Sequence, residues 1–363
     1  MGPKVAELER KMSEFSGSFA LATSSGSSAI SLLFQLEKEL NPKLAAKTLV
    51  ICPAVTWVSS ITPIIHAGYE VQFCDINLTD FSFDYEKLRQ IIQDNRHREI
   101  ILWPTALIGH IPDFEKLNEL KDLCDGQLFC DCAENMLSNY RGMSILSATD
   151  KSITSAYFSH EMTSIEMGFV FFKDWDEYEQ AKMYRNHGML RSLPADSRTR
   201  CDLTCMHSNL DPDFLFINKG TNLRPSDMHA VFGLLDFERL KRNKAHRKRM
   251  FARYRSRISS LYYLPPWEIG YDYVPFCLPI FTKDYCIERV KKKLQDNGIQ
   301  TRPLVGSNLL LQPCFREYEA LARRYGLKNA DWVHKNGAYI GLPHNLTEEK
   351  VDWLTDILNG LYD

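Results

Sequence analysis

Residues able to do acid–base and anion-binding chemistry fall in separate short segments of this 363-residue chain. His160 lies in Ser155-Ala-Tyr-Phe-Ser-His160-Glu-Met-Thr-Ser-Ile-Glu166-Met-Gly168. An imidazole, with an ordinary pKa near ~6.5, can act as base or acid close to neutrality. Asp131 ends the apolar run Leu128-Phe-Cys-Asp131. A carboxylate there is costly to bury unpaired, so it either takes a cationic partner or caps a helix. Thr23-Ser-Ser-Gly26-Ser27-Ser-Ala29 leads into an apolar helix. Its small residues let the backbone close on a phosphate, although the same residues also serve as a plain N-cap. Trp57, just after the run ending at Cys52, is either a core residue or a flat ring free to stack on a ligand. His187 and Arg191 would share a helix face if a helix runs through Gly188. Arg191 suits a planar carboxylate, and Arg224 is a further candidate anion contact.

Taken in order, these segments resemble the DegT/DnrJ/StrS sugar aminotransferase family over about residues 15–360. In that family the segment around position 160 reads roughly Ser-Phe-x-x-x-Lys-x-x-Thr-x-x-Glu-Gly-Gly, and the lysine binds pyridoxal phosphate covalently. Aligning the serine, threonine and glutamate puts His160 on the lysine, and no lysine occurs between Lys151 and Lys173 to restore it by a slip. An imidazole has no primary amine to condense; it keeps the acid–base half of the task and loses the covalent half. The chain departs from the pattern again at Met167, where a glycine is usual, and the extra bulk is expected to crowd the cofactor.

The resemblance implies a pyridoxal-phosphate transferase of fold type I. It has a mixed, mostly parallel sheet sandwiched by helices and a smaller α+β C-terminal domain. Gly26, Ser27 and Ser155 would hold the cofactor phosphate, Trp57 would stack on the ring, and Asp131 would keep the ring nitrogen protonated. Glu134 would sit near the phenolic oxygen or the incoming amine. Asn222, in Asn218-Lys-Gly-Thr-Asn222-Leu-Arg224-Pro-Ser-Asp-Met-His-Ala230, would reach the phosphate of a neighbouring subunit, giving a homodimer with shared sites. Arg185-Asn-His187-Gly-Met-Leu-Arg191 and Arg302-Pro-Leu-Val-Gly-Ser-Asn308 resemble phrases of the 3-dehydratase branch, in which His187 and Arg191 would contact substrate or glutamate. The implied reaction uses the cofactor as pyridoxamine phosphate, renewed from L-glutamate. It removes the C3 hydroxyl of a nucleotide-linked 4-keto-6-deoxy sugar, GDP being the favoured nucleotide, and His160 is the catalytic residue. The alternatives are a sugar aminotransferase that works without the lysine, and a silent sugar-nucleotide binder.

The elements needed to position these groups are legible as alternating short apolar runs and amphipathic stretches. Strands are expected at Leu49–Cys52, Glu70–Cys74, Glu99–Pro104, Leu128–Asp131, Ile153–Tyr157 and Phe169–Phe172. Helices are expected at Ser27–Lys38, Ser59–Ala67, Asp84–Gln93, Phe114–Cys124 and Asp176–Asn186, with one long helix from about Ser226 to Leu261. A second α+β segment follows, with a strand at Phe276–Ile280 and a helix at Asp284–Asn297. The boundary is placed in the long helix, giving a large domain 1–240 and a small one 241–363.

Composition excludes several classes. With 44% hydrophobic and 25% charged residues and a net charge of −2, the chain is an ordinary globular protein without a field for nucleic acid or an anionic membrane. The basic run Lys241-Arg-Asn-Lys-Ala-His-Arg-Lys-Arg249 reads as a solvated helix face beside an interdomain hinge. No apolar run approaches the ~20 residues of a membrane span, and the start of the chain shows no signal-peptide core, so a cytoplasmic location is expected. The ten cysteines are read as reduced thiols. Cys130-Asp-Cys132 and Cys201-x-x-x-Cys205 lack the partners of a zinc or cluster site, so no metal is expected.

Overall fold

The computed structural model describes residues 2–124, 126–266, 271–283 and 286–361, the side chain of Leu44 excepted. Seven strands form the main sheet: β1 (Phe19–Thr23), β2 (Thr48–Pro53), β3 (Glu70–Cys74), β4 (Glu99–Leu102), β5 (Gln127–Asp131), β6 (Lys151–Ser155) and β7 (Gly168–Phe172). Their order is β1-β7-β6-β5-β4-β2-β3. Pairings β2–β3, β2–β4, β4–β5 and β5–β6 are parallel, and β7 runs antiparallel to both β6 and β1.

Alternation along the strands assigns each face its own core. Val50, Cys52, Phe73, Phe129 and Ile153 pack against α2 (Gly26–Leu40) in one buried cluster. Leu49, Ile51, Leu128, Cys130 and Phe169 point the other way. There they meet α1 (Pro3–Ser16), α3 (Tyr85–Asn95) and α4 (Phe114–Asp122). Both faces are therefore covered, as a parallel sheet with apolar strands on both sides requires.

The single long helix expected after Pro225 is two: α5 (Asp227–Phe237) and α6 (Leu240–Arg257). The chain turns at Glu238 and Arg239, each helix burying a different face. Beyond α6 lies a second, antiparallel sheet of β8 (Tyr262–Tyr263), β9 (Cys277–Thr282), β10 (Arg302–Pro303) and β11 (Gly337–Gly341), in the order β8-β9-β11-β10. Leu278 and Ile280 face a core shared with α6, α7 (Ile287–Asp296) and α8 (Glu348–Asn359). The helix expected from Asp284 starts at Ile287, and Asp284 itself lies outside the described residues.

Besides this core of its own, the C-terminal third also packs into the main one. Cys277, Phe281, Leu304, Leu309, Phe315 and Val333 belong to the same buried cluster as Val50 and Phe129 of the main sheet. The Gly306 and Leu309 amides donate to the carbonyls of Thr56 and Ala54, at 3.2 and 2.9 Å. A side chain at Gly306 would bring a Cβ to 2.5 Å from the Thr56 oxygen, which explains the glycine there. This strap fixes the loop bearing Trp57.

Candidate functional site

The carboxyl ends of the parallel strands open onto a cavity of about 360 Å³. Gly26, Ser27, Trp57, Asp131, Glu134, Ser155 and His160 all line it. Ends of parallel strands collect chemistry because the sheet fixes them while the loops beyond are free to vary.

Ser25 is the N-cap of α2, its hydroxyl accepting from the Ser28 amide at 3.1 Å. The first-turn amides of Gly26 and Ser27 have no intrahelical acceptor and lie at the positive end of the helix dipole, a ready anion site. Gly26 is held so closely to β6 that a Cβ there would stand 2.9 Å from the Ser155 Cβ. Ser155 thus brings its hydroxyl to the same helix terminus. Neighbouring Gly168 would clash with the Ser25 carbonyl at 2.3 Å if it carried a side chain.

Met167 does not crowd this cavity. Its side chain is fully buried in the core on the opposite face of the sheet, and its sulfur accepts the Ser164 hydroxyl at 3.0 Å. The position that tolerates no side chain is Gly168.

Asp131 is almost completely buried and accepts from the Ala133 amide at 3.0 Å and from the Ser60 hydroxyl. Burial raises its pKa, against those two hydrogen bonds, and it makes no ion pair with any described residue. It is a carboxylate supplied with neutral donors and no counter-charge, which fits a cationic ring nitrogen placed against it. The Glu134 carboxyl accepts from the Ile108 amide at 2.9 Å, and burial pushes its pKa to about 7.

His160 sits in the loop between β6 and β7, with its ring edge-on to Phe276 and to Tyr157 at 5.4 and 5.9 Å. Nδ1 lies 2.5 Å from the Ala133 carbonyl. A carbonyl only accepts, so Nδ1 carries the hydrogen and Nε2 keeps its lone pair. Burial lowers the imidazole pKa, outweighing that hydrogen bond, and the ring is neutral at pH 7. The next residue, Glu161, is fully buried and accepts the Met136 and Leu137 amides at 2.6 and 3.1 Å. These contacts tie the His160 loop to the Ala133–Leu137 segment that follows Asp131. Sequence reasoning passed over Glu161, whose only signal is a charge directly beside the imidazole.

Four of the expected site residues lie elsewhere. The helix Trp175–Tyr184 ends before His187, which adopts φ 61° with Gly188 at φ 76°. A Cβ on Gly188 would approach the Asn218 carbonyl to 1.9 Å, so the chain must turn there, and His187 and Arg191 do not share a helix face. Residues 186–189 run beside 216–222 through the bridges Asn186–Asn222 and Met189–Phe216. Arg224 donates to the Asn186 side chain at 2.5 Å, and Arg191 lies over the Phe214 ring. His187, Arg191, Asn222 and Arg224 are all exposed, and none lines the cavity of its own chain. The pair of segments nevertheless abuts the anion site, the Leu223 carbonyl accepting from the Ser24 amide at 3.0 Å.

Comparison with known proteins agrees with this architecture. The model of the DegT/DnrJ/EryC1/StrS aminotransferase family matches residues 1–359. A GDP-4-keto-6-deoxy-D-mannose 3-dehydratase of Escherichia coli O55:H7 is 25% identical over 376 residues, covering 99% of this chain and 92% of the relative. The solved structure of an E. coli GDP-4-keto-6-deoxy-D-mannose-3-dehydratase with bound hydrated PLP superposes with a TM-score of 0.86 at 23% identity, over 99% of this chain and 92% of that one. A structure of GDP-4-keto-6-deoxymannose-3-dehydratase with a trapped PLP–glutamate geminal diamine gives 0.84 at 23% identity, over 99% and 93%. The chain belongs to the DegT/DnrJ/EryC1/StrS aminotransferase family and has the fold of the type I pyridoxal-phosphate enzymes.

Proposed function

We propose that this member of the family is a nucleotide-sugar 3-dehydratase. It removes the C3 hydroxyl of a nucleotide-linked 4-keto-6-deoxy sugar, GDP-linked by preference, and L-glutamate is its amine donor. Pyridoxal 5′-phosphate is the cofactor, and in its pyridoxamine form it supplies an amine for the 4-keto carbon and an electron sink. The observation that carries the reading is the chemistry at position 160. A neutral imidazole with a free Nε2 lone pair faces the cavity, and no lysine is among the described residues that line it.

The residues divide the work by what each can hold. The first-turn amides of α2 and the Ser155 hydroxyl take the phosphate, and Asp131 holds a proton on the ring nitrogen. The Trp57 indole, 56% exposed at the cavity mouth, is placed to cover one face of a flat ligand. His160 Nε2 accepts a proton and returns it to the hydroxyl that leaves C3. No primary amine is among the described residues lining the cavity to compete with it by forming a covalent bond to the cofactor aldehyde, as a lysine would.

The exposed set His187, Arg191, Asn222 and Arg224 completes the cavity of a second copy of the chain in a homodimer. On or beside the same two segments and on the helix that follows them, Phe214, Phe216, Met228, Phe232 and Leu235 are 61, 54, 76, 47 and 58% exposed, apolar side chains of the kind a subunit contact would cover.

The test begins with an absorbance spectrum of the purified protein with pyridoxal phosphate, before and after L-glutamate, followed by product analysis with the GDP-linked 4-keto-6-deoxy sugar. Conversion to a pyridoxamine band and a product that has lost oxygen at C3 and carries no nitrogen is the expected result. Nitrogen retained on the sugar makes the chain an aminotransferase. Cofactor or sugar nucleotide bound without turnover makes it a silent binder.

A further inference from the structure

Behind His160 the cavity continues into a second chamber of about 380 Å³. Ser159, His160, Phe276, Arg302 and Tyr339 line both spaces, so they form the doorway between them. Arg247, Gln300 and His344 stand on the far walls, and no carboxylate is among the described residues lining this chamber. Arg247 comes from the basic run 241–249, which was expected to be a solvated helix face. It is instead only 3% exposed. It donates to the Pro275 and Phe276 carbonyls at 3.3 and 2.9 Å, and its Nε has no hydrogen-bond partner. Glu161 is near enough to favour the charged guanidinium, but the two make no ion pair, and burial pushes Glu161 itself to about 7. A guanidinium buried without a paired anion is costly. It is the complement of an oxyanion, which a planar five-donor fork grips well. The volume lies toward the small end of the roughly 300–1,000 Å³ usual for small-molecule sites, enough for a multi-atom tail rather than a lone ion.

We infer that this chamber is the anion subsite of the enzyme, where Arg247 and Arg302, with Gln300 and His344, take the oxyanion tail of a substrate whose other end reacts beside His160. The identity of the tail rests on the proposed function: a carboxylate of the amine donor or the diphosphate of the nucleotide. Both are oxyanions carried a few bonds from a carbon that must reach the same doorway.

The experiment measures equilibrium binding without turnover, by calorimetry, of glutarate and of GDP to the full chain and to two variants at an exposed wall position. Gln300→Glu adds a carboxylate to the chamber, and Gln300→Ala only shortens the side chain; circular dichroism confirms that both fold. Gln300→Glu is expected to weaken the occupying anion about tenfold or more, and Gln300→Ala by less than about threefold. Selective loss of glutarate assigns the chamber to the amine donor, and selective loss of GDP assigns it to the nucleotide. If Gln300→Glu binds both as the parent does, or the parent binds neither, the inference is overturned. Anion binding that depends on position 300 in a protein that dehydrates nothing leaves the chamber standing and removes the proposed reaction. Dehydration with binding insensitive to position 300 does the reverse.

Discussion

The floor of the cavity and its exposed rim are built on different terms. Gly26, Asp131, Ser155 and His160 hang from strand ends or a helix terminus that the main sheet fixes, and one chain brings all of them together. His187, Arg191, Asn222 and Arg224 sit on two loops paired with each other, exposed, and outside the cavity of their own chain. The contrast separates what the fold preorganises from what the proposed homodimer would supply. Floor residues have rigid partners such as the Ala133 carbonyl and the Met136 and Leu137 amides. The rim has a guanidinium on an asparagine and a cation over a ring, contacts that a second surface can replace.

Substitutions that touch only one side of this contrast sharpen it. The largest effect is expected at the floor: His160→Gln should cost roughly 10²–10⁴ in dehydration rate, the usual worth of a positioned acid–base group. Cofactor binding followed by absorbance should persist, because Asp131, Gly26 and Ser155 are untouched. Loss of cofactor binding instead would make His160 part of the holding machinery.

Next is Glu161. Its carboxyl, ordinarily near 4.5, is pushed to about 7 in the fold by burial. A folded pKa above the unfolded one means that the associated stability is complete below pH 4.5 and is lost as pH rises to about 7, some ~3 kcal/mol for a group this buried. Urea unfolding of the apoprotein at pH 5 and pH 8 should therefore show a decline in the parent that Glu161→Gln flattens by about that amount. Equal declines in the two proteins would show that Glu161 is not the group responsible.

At the rim, Arg224→Ala is expected to lower kcat/KM about tenfold, the scale of one hydrogen bond to a charged group. The sharper readout is complementation. If the rim serves a second copy, mixing the Arg224→Ala and His160→Gln chains should give more activity than either chain shows alone, through the mixed dimer in which one cavity has both intact parts. A mixture no more active than its components would dissolve the contrast drawn above.

The smallest effect belongs to Trp57. At 56% exposure, its replacement by Ala should change apoprotein stability by no more than about 0.5 kcal/mol. Quenching of its fluorescence by added pyridoxal phosphate reports whether it covers the ring.

Apolar patterning made the interior of the fold readable, and chemistry made the floor readable. The runs at Leu49–Cys52, Glu70–Cys74, Leu128–Asp131 and Phe169–Phe172 are strands within a residue or two of where they were expected. The strand expected at Ile153–Tyr157 begins two residues earlier, at Lys151, because the Lys151 ammonium is buried against Glu37 and so reads as surface in the sequence. β1 went unread for a related reason. Phe19-Ala-Leu-Ala-Thr23 has little β-branching, and its place beside β7 is set by pairing rather than by propensity. The long helix after Pro225 was misread because charge continues through Glu238 and Arg239 without a glycine or proline to mark the turn. Arg247 was hidden in the same way: one buried guanidinium in a run of lysines and arginines carries no local mark of its burial. Which chain a loop residue serves is not legible in the pattern of residues, and the expectation for Asn222 comes from the family resemblance alone. Asn222 is exposed, and the role proposed for it would depend on the surface of a second copy.

The imidazole of His160 is steered by a main-chain oxygen, that of Ala133, rather than by another side chain. A steering carboxylate could be erased by a single codon change. A peptide carbonyl is present whatever residue occupies position 133, provided the backbone after Asp131 keeps its path. The tautomer on which the proposed acid–base step depends is thus inherited from the course of the chain, and drift in neighbouring side chains leaves it in place.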